Sequence, residues 1–154
     1  MLSEDNLRKI ETLKTLYPTT QALVLPVLWM VQKEQGFISD EAMKYVSGLL
    51  NVSDAHILGV VTFYTMFKRK PLGKHHIEVC TNVSCMLRGS DKIVEHLEQK
   101  LGVHLGDTTA DKKWTLEEVE CMGSCGTAPM VAINEEYYED LTPEKLDKIL
   151  EELE

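Results

Sequence analysis

The sequence lacks a long apolar run. Its longest such segment, residues 22–31, contains Pro26 and is shorter than the roughly 20 residues that a membrane-spanning helix needs. The N-terminal residues Met1-Leu-Ser-Glu-Asp-Asn are acidic and lack the charge pattern of a signal or transit peptide. We therefore expect a chain without a membrane span that works in the compartment where it is made.

Basic charge is also scarce, because 16 Lys and Arg residues face 25 Asp and Glu residues, for a net charge of -9. Nucleic-acid surfaces show clustered Lys and Arg, and the one basic stretch here, residues 68–74, is short. The glycine-rich nucleotide-binding motifs G-x-G-x-x-G and G-x-x-x-x-G-K-[ST] are absent, and nothing resembles a nucleophile beside its base. We expect no nucleic-acid partner and no catalytic residues.

Cysteine is rare, and the four cysteines fall into two close pairs. The pairs are Cys80-Thr-Asn-Val-Ser-Cys85 and Cys121-Met-Gly-Ser-Cys125, with 35 residues between them. Four thiolates are the usual protein ligands of a [2Fe-2S] cluster. A two-iron centre is longer than a single ion, so each pair can supply one iron. The spacing therefore favours a [2Fe-2S] cluster.

Three other interpretations of the cysteines remain open at this point. A zinc site usually has C-x2-C knuckles, although C-x4-C is within its range. Two disulfides fit the even count, but the chain has no secretory signal and is long enough to form a core without them. A thioredoxin-type redox pair needs C-x-x-C, which is missing.

The front half of the sequence has the pattern of four helices. We predict a helix from Ser3 or Asp5 to the residue before Pro18, and others over residues 20–35, 41–50 and 53–67. Gly36 is placed to end the second helix, and Pro26 is expected to kink it unless the helix begins later. Propensity alone equally allows a strand over residues 60–67.

The back half has the pattern of an α/β unit. We predict strands over residues 76–80, 103–105, 114–119 and 130–133, a helix over residues 90–101, a turn at Asn134-Glu135, and a last helix after Thr142. Residues 68–74 form a basic joint that contains one Pro and one Gly. The expected class is therefore α+β, with a helical region over residues 1–72 and a second domain over residues 73–154. Both cysteine pairs follow strands.

Several motifs together resemble the small iron-sulfur subunit of NADH-quinone oxidoreductase, its E subunit, which belongs to the NADH-oxidising arm of respiratory complex I. They are Cys80-Thr-Asn-x-x-Cys85, Cys121-x-Gly-x-Cys125, Ala128-Pro129 and residues 62–67. The resemblance runs from Tyr17 to Thr142. It implies a thioredoxin-like [2Fe-2S] ferredoxin domain behind a small helical bundle, with Cys80, Cys85, Cys121 and Cys125 as the iron ligands.

The resemblance also implies partners and a location. The helical bundle helps to dock on a flavin subunit that binds FMN and NADH, and the chain accepts one electron at a time. All-cysteine ligation predicts a low potential of roughly -400 mV. The complex lies peripherally on the inner, cytoplasmic face of the cell membrane, or on the matrix side in an organelle. Similar subunits serve NAD-linked hydrogenases and formate dehydrogenases, and a free thioredoxin-like ferredoxin is a further alternative.

Residues around the cysteines suggest secondary roles. Gly123 and Gly126 allow close backbone approach, so that N–H groups donate to sulfur, or they are ordinary turn glycines. Glu118 and Glu120 add negative charge that depresses the potential. His75 and His76 are interpreted as polar flanks of a strand and not as ligands, and Trp29 and Phe63 are candidate docking residues.

Overall fold

A computed structural model describes residues 2–153. The chain divides into two compact units, Met1–Pro71 and Leu72–Glu154. This division lies one residue before the domain boundary that the sequence predicts, between residues 72 and 73. That the two units are separate domains stays a prediction.

Four α-helices form the first unit, as the sequence predicts. They are α1 (Glu4–Leu16), α2 (Val24–Gln35), α3 (Asp40–Leu50) and α4 (Asp54–Phe63), with a short 3₁₀ turn at Thr20–Leu23 before α2. The hydroxyls of Ser3, Ser39 and Ser53 accept a hydrogen bond from the backbone N–H three residues on. These caps satisfy helix N–H groups that have no partner within the helix.

The second helix begins later than residue 20, and this resolves the position of Pro26. With α2 starting at Val24, Pro26 lies in the first turn, where the missing N–H breaks no helical hydrogen bond. Gly36 ends the helix with a φ of 83°, a backbone conformation that glycine adopts readily.

The prediction that α4 reaches Phe67 is wrong, because the helix ends at Phe63. Tyr64 has extended backbone angles. The Thr62 hydroxyl donates to the Leu58 carbonyl at 2.8 Å, and such bonds from β-branched residues weaken the end of a helix. Phe67 is nevertheless buried in the core of the first unit.

The second unit is a four-stranded sheet with helices. Its elements are β1 (His75–Cys80), α5 (Val83–Leu87), α6 (Ser90–Leu101), β2 (Trp114–Val119), a 3₁₀ turn (Cys125–Thr127), β3 (Val131–Ile133), β4 (Glu136–Tyr138) and α7 (Pro143–Leu153). The mixed helix and sheet content confirms the α+β class.

The strand order is β2-β1-β3-β4. Strands β1 and β2 are parallel, with Cys80 opposite Val119, while β3 is antiparallel to both β1 and β4. Strand residues Ile77 and Leu116 share a buried apolar cluster with Leu97 of α6 and Leu146 of α7. This cluster holds the sheet rigid beneath the loops that carry the cysteines.

One local prediction for the second unit is wrong, and one helix is missing from the sequence-based predictions. Residues 103–105 are not a strand. Val103 and Leu105 pack on the core from a loop, and the chain first bonds to β2 after them, through the Gly106 N–H to the Leu116 carbonyl. Helix α5, in the first cysteine pair, was not expected, since five residues carry too little periodicity to detect. Its one signal is Asn82, a preferred N-cap residue.

Helix α2 contributes four buried residues to the core of the first unit, as many as α3 does, so we expect Leu28→Ala to destabilise the chain. Leu28 is fully buried, and such truncations cost about 2–5 kcal/mol. Leu16→Ala is the control, because Leu16 is 71 % exposed and its loss should change stability by less than about 0.5 kcal/mol. Urea unfolding followed by circular dichroism measures both, and equal midpoints contradict this account of the core.

Candidate metal centre

The first cysteine pair is buried and anchored by regular structure. Cys80 is the last residue of β1 and its N–H donates to the Met130 carbonyl at 3.3 Å. Cys85 lies in α5, whose N-terminus is capped by the Asn82 side chain. Only 3 % of Cys80 and 2 % of Cys85 is exposed. We call residues 80–88 the first ligand segment.

The second pair lies in an exposed loop. Cys121 follows β2 by two residues, and Cys125 opens the 3₁₀ turn; both are exposed. Gly123, between them, has a φ of 90°, and its N–H donates to the Cys121 sulfur at 3.4 Å. This contact favours the donor role over that of an ordinary turn glycine. We call residues 119–127 the second ligand segment.

The structure brings the four thiols together. The Cys121 and Cys125 sulfurs are 3.4 Å apart, too far for a disulfide, in which they are about 2.05 Å apart. The distance is close to the roughly 3.8 Å that separates two sulfur ligands of a tetrahedral metal with bonds of about 2.3 Å. Cys80 and Cys85 belong to one buried cluster. All four cysteines are free, so the disulfide alternative is not what the structure shows.

The thiols also act on one another electrostatically. Burial raises the pKa of Cys85, and Cys80 and Cys125 act in the same direction. The hydrogen bond with Cys121 is the main reason that the pKa of Cys125 is raised, Cys80 adds to it, and a hydrogen bond with Ser84 opposes it. Cys80 thus raises the pKa of one cysteine in each pair, Cys85 in the first and Cys125 in the second. A metal centre reverses the effect, because its ligands are thiolates, and four converging thiols fit such a centre.

One wall of the site is apolar. Cys80 and Cys85 share a buried cluster with Ala128 and Met130, against which Met122 packs. Such a wall excludes water and lowers the local dielectric, which are levers on the potential of an iron-sulfur centre. Met86 and Leu87, by contrast, lie outside this buried cluster, with Leu87 78 % exposed.

The two histidines lie at the other end of β1 from Cys80. His76 lies four positions before Cys80 along the strand, a distance of about 13 Å at the usual rise per residue. The His76 imidazole is 2.8 Å from the Glu117 carboxylate. His75 is buried and stacks on Trp114, with ring centroids 4.6 Å apart, and burial lowers its pKa. Both are therefore too distant to join the four cysteines.

A family model described as thioredoxin-like [2Fe-2S] ferredoxin matches residues 10–154. The chain belongs to the thioredoxin-like [2Fe-2S] ferredoxin family. Membership confirms the thioredoxin-like fold expected for the second half. It also agrees with a single [2Fe-2S] cluster as the cofactor of the four-thiol site and not with zinc.

Curated relatives match almost the whole chain. The E subunit of NADH-quinone oxidoreductase from Rickettsia conorii is 45 % identical over 151 residues, which cover 96 % of this chain and 90 % of the relative. The E subunit numbered 2 of the same enzyme from Rhizobium meliloti is 38 % identical over 143 residues, with 93 % and 85 % coverage. These relatives confirm the resemblance that the cysteine motifs indicate.

A crystal structure of a NAD+-reducing [NiFe]-hydrogenase in the air-oxidized state has a similar fold. Its TM-score is 0.72 at 21 % identity, and the match covers 85 % of this chain but 22 % of the hydrogenase chain. This likeness concerns the fold alone. In the part of the chain that the structure describes, no helix has the length and apolar character needed to cross a membrane.

The left-handed backbone conformation of Gly123 can be tested for its role in holding the second cysteine pair. Gly123→Ala forces a side chain into that conformation, which costs about 1 kcal/mol or more, so we expect iron to be lost faster to a chelator. Gly126→Ala is the matched control, since Gly126 has no positive φ and nothing within 4 Å of an added Cβ. Equal rates of iron loss in the two variants contradict a conformational role for Gly123.

Proposed function

We propose that the chain is the electron-transfer subunit of a NADH-quinone oxidoreductase and that Cys80, Cys85, Cys121 and Cys125 hold one [2Fe-2S] cluster. The observation that carries the proposal is the parallel pairing of β1 with β2, which places one pair of free cysteines at or after the end of each strand. The identity of 45 % to the Rickettsia conorii relative favours this enzyme over a hydrogenase, to which the likeness is 21 %.

When bound, a [2Fe-2S] cluster takes up and releases one electron at a time. The chain's own residues determine the setting of that chemistry. The buried Cys80 and Cys85 stand against the apolar wall, while the exposed Cys121 and Cys125 face solvent or a partner. The Gly123 N–H, which contacts the Cys121 sulfur, stabilises negative charge there. One side of the site is thus insulated and the other is accessible.

The proposed partner is a flavin subunit that binds FMN and NADH, so that hydride chemistry occurs on the flavin and not on this chain. In that assembly the chain lies peripherally on the inner face of the membrane. The relatives are named as subunits of an oxidoreductase, which supports a hetero-oligomer. The whole four-helix unit in front of the ferredoxin domain also supports it, because a freely diffusing carrier needs only the ferredoxin part.

Serine variants test the ligand assignment. Hydroxyl is a poorer ligand for iron-sulfur centres than thiolate, so Cys80→Ser and Cys125→Ser, one from each pair, should each lower iron and sulfide content and change visible absorption. Thr12→Ser, at an exposed position of α1, is a control that removes no thiol. Wild-type iron content in either cysteine variant contradicts the assignment of that cysteine.

Phe63 provides a test of docking. It is 76 % exposed at the end of α4, so Phe63→Asp should weaken co-purification with the flavin subunit without unfolding the helical unit. Trp29 is less suitable, because it packs on the core and lies beside Phe67. Phe63→Leu keeps an apolar side chain and should retain binding. Undiminished co-purification of Phe63→Asp contradicts docking through this residue.

A further inference from the structure

Two side chains of the first ligand segment reach the second ligand segment at its opposite ends. Asn82 Nδ2 donates to Glu120 Oε2 at 2.8 Å, and Glu120 directly precedes Cys121. Arg88 Nη1 donates to the Gly126 carbonyl at 3.3 Å, and Gly126 directly follows Cys125. The two contacts therefore bracket the second cysteine pair.

The Asn82 amide is engaged at both of its polar atoms. Its Oδ1 accepts from the Val83 N–H at 2.8 Å, which caps the helix that carries Cys85. Its Nδ2 holds the carboxylate of Glu120. A hydrogen bond to a carboxylate is charge-assisted and stronger than a neutral one. One side chain thus joins the backbone before Cys85 to the residue before Cys121.

The Arg88 guanidinium also has two contacts. Besides the Gly126 carbonyl, it lies 3.6 Å from the Asp140 carboxylate. The Asp140 N–H donates in turn to the Thr127 carbonyl at 2.7 Å, so two residues of the 3₁₀ turn, Gly126 and Thr127, are tied to Arg88 directly or through Asp140. The planar fork of arginine presents N–H groups on separate nitrogens, and two of these reach the two partners, whereas the donors of lysine all lie on one nitrogen.

The second ligand segment depends on these contacts for its position more than the first ligand segment does. Cys80 and Cys85 are fixed by a strand, a helix and burial. Cys121 and Cys125 are exposed, and among the residues between them only Met122 packs on the apolar cluster. The second segment is therefore held largely by polar contacts, among them those of Asn82 and Arg88 and the hydrogen bond from the Thr81 N–H to the Val119 carbonyl.

We propose that Asn82 and Arg88 are positioning residues that clamp the two ligand segments together and thereby retain the cluster. The inference rests on the function proposed above. Groups that orient metal ligands change metal affinity by about ten- to a hundredfold when they are lost. Loosening the clamp lets the exposed pair separate from the buried pair and speeds the loss of iron.

The Asn82–Glu120 pair allows donor and acceptor to be exchanged. Asn82→Asp keeps the oxygen that caps α5 but places a carboxylate against Glu120, and we expect iron to be lost to a chelator about tenfold faster or more. Glu120→Gln alone keeps an acceptor oxygen and should release iron nearly as the wild type does. The double variant Asn82→Asp/Glu120→Gln restores a donor and the original net charge, and should return the rate towards wild type.

The matched control is Asn6→Asp in the first unit. Asn6 Nδ2 donates to Glu34 Oε1 at 2.7 Å, the same chemistry in a part of the chain that carries no cysteine, so iron loss should be unchanged. Circular dichroism verifies that every variant is folded. The EPR spectrum of the reduced protein should broaden in Asn82→Asp and sharpen again in the double variant, a response that general destabilisation does not give.

Arg88→Lys tests the other end of the clamp, because it keeps the charge and loses the fork; iron loss should be faster than in the wild type. Wild-type rates in both Asn82→Asp and Arg88→Lys, failure of the double variant to recover, or an equal effect of Asn6→Asp overturns the inference. A wild-type chain without a [2Fe-2S] cluster overturns the proposed function and this inference with it. Unaffected variants of a cluster-containing wild type overturn the inference alone.

Discussion

The parallel pairing of β1 with β2 is the constraint on which the site depends. In this register Cys80 lies opposite Val119. The first cysteine pair therefore begins at the end of β1, and the second begins two residues after the end of β2. Parallel strands deliver the loops that follow them to one edge of the sheet, and the buried cluster beneath keeps that edge rigid. A slip of one residue would turn every side chain of a strand to the opposite face, and Cys80 would then leave its buried place beside Met130.

At this edge of the sheet, the two cysteine pairs lie in different environments. The first pair is enclosed by α5 and the apolar wall, and the second is held in an exposed loop by a glycine with positive φ and by polar contacts from the first segment. A buried side limits the access of water to the metal centre, while an exposed side permits an electron to pass to or from a partner. The arrangement suits a one-electron centre that works within an assembly.

The sequence predicts those parts of the molecule whose signals are local. Serine caps, Gly36 and helical periodicity define the first unit, and the alternation in residues 76–80 and 114–119 places a strand before each cysteine pair. Prediction from the sequence fails where tertiary contacts decide the local conformation. Residues 103–105 have a strand-like composition but pack from a loop, the β-branched end of α4 stops at Phe63 instead of Phe67, and the short helix α5 forms around Cys85. The clamp through Asn82 and Arg88 joins residues 38 positions apart in each case, and nothing in the sequence pairs them.

Anaerobic EPR of the purified chain, before and after reduction by dithionite, tests the central claim most directly. The account predicts a brown protein that is EPR-silent when oxidised, gives one spin-half signal when reduced, and contains about two irons and two sulfides per chain. A colourless protein that holds one zinc ion, contains no sulfide and gives no signal would contradict it.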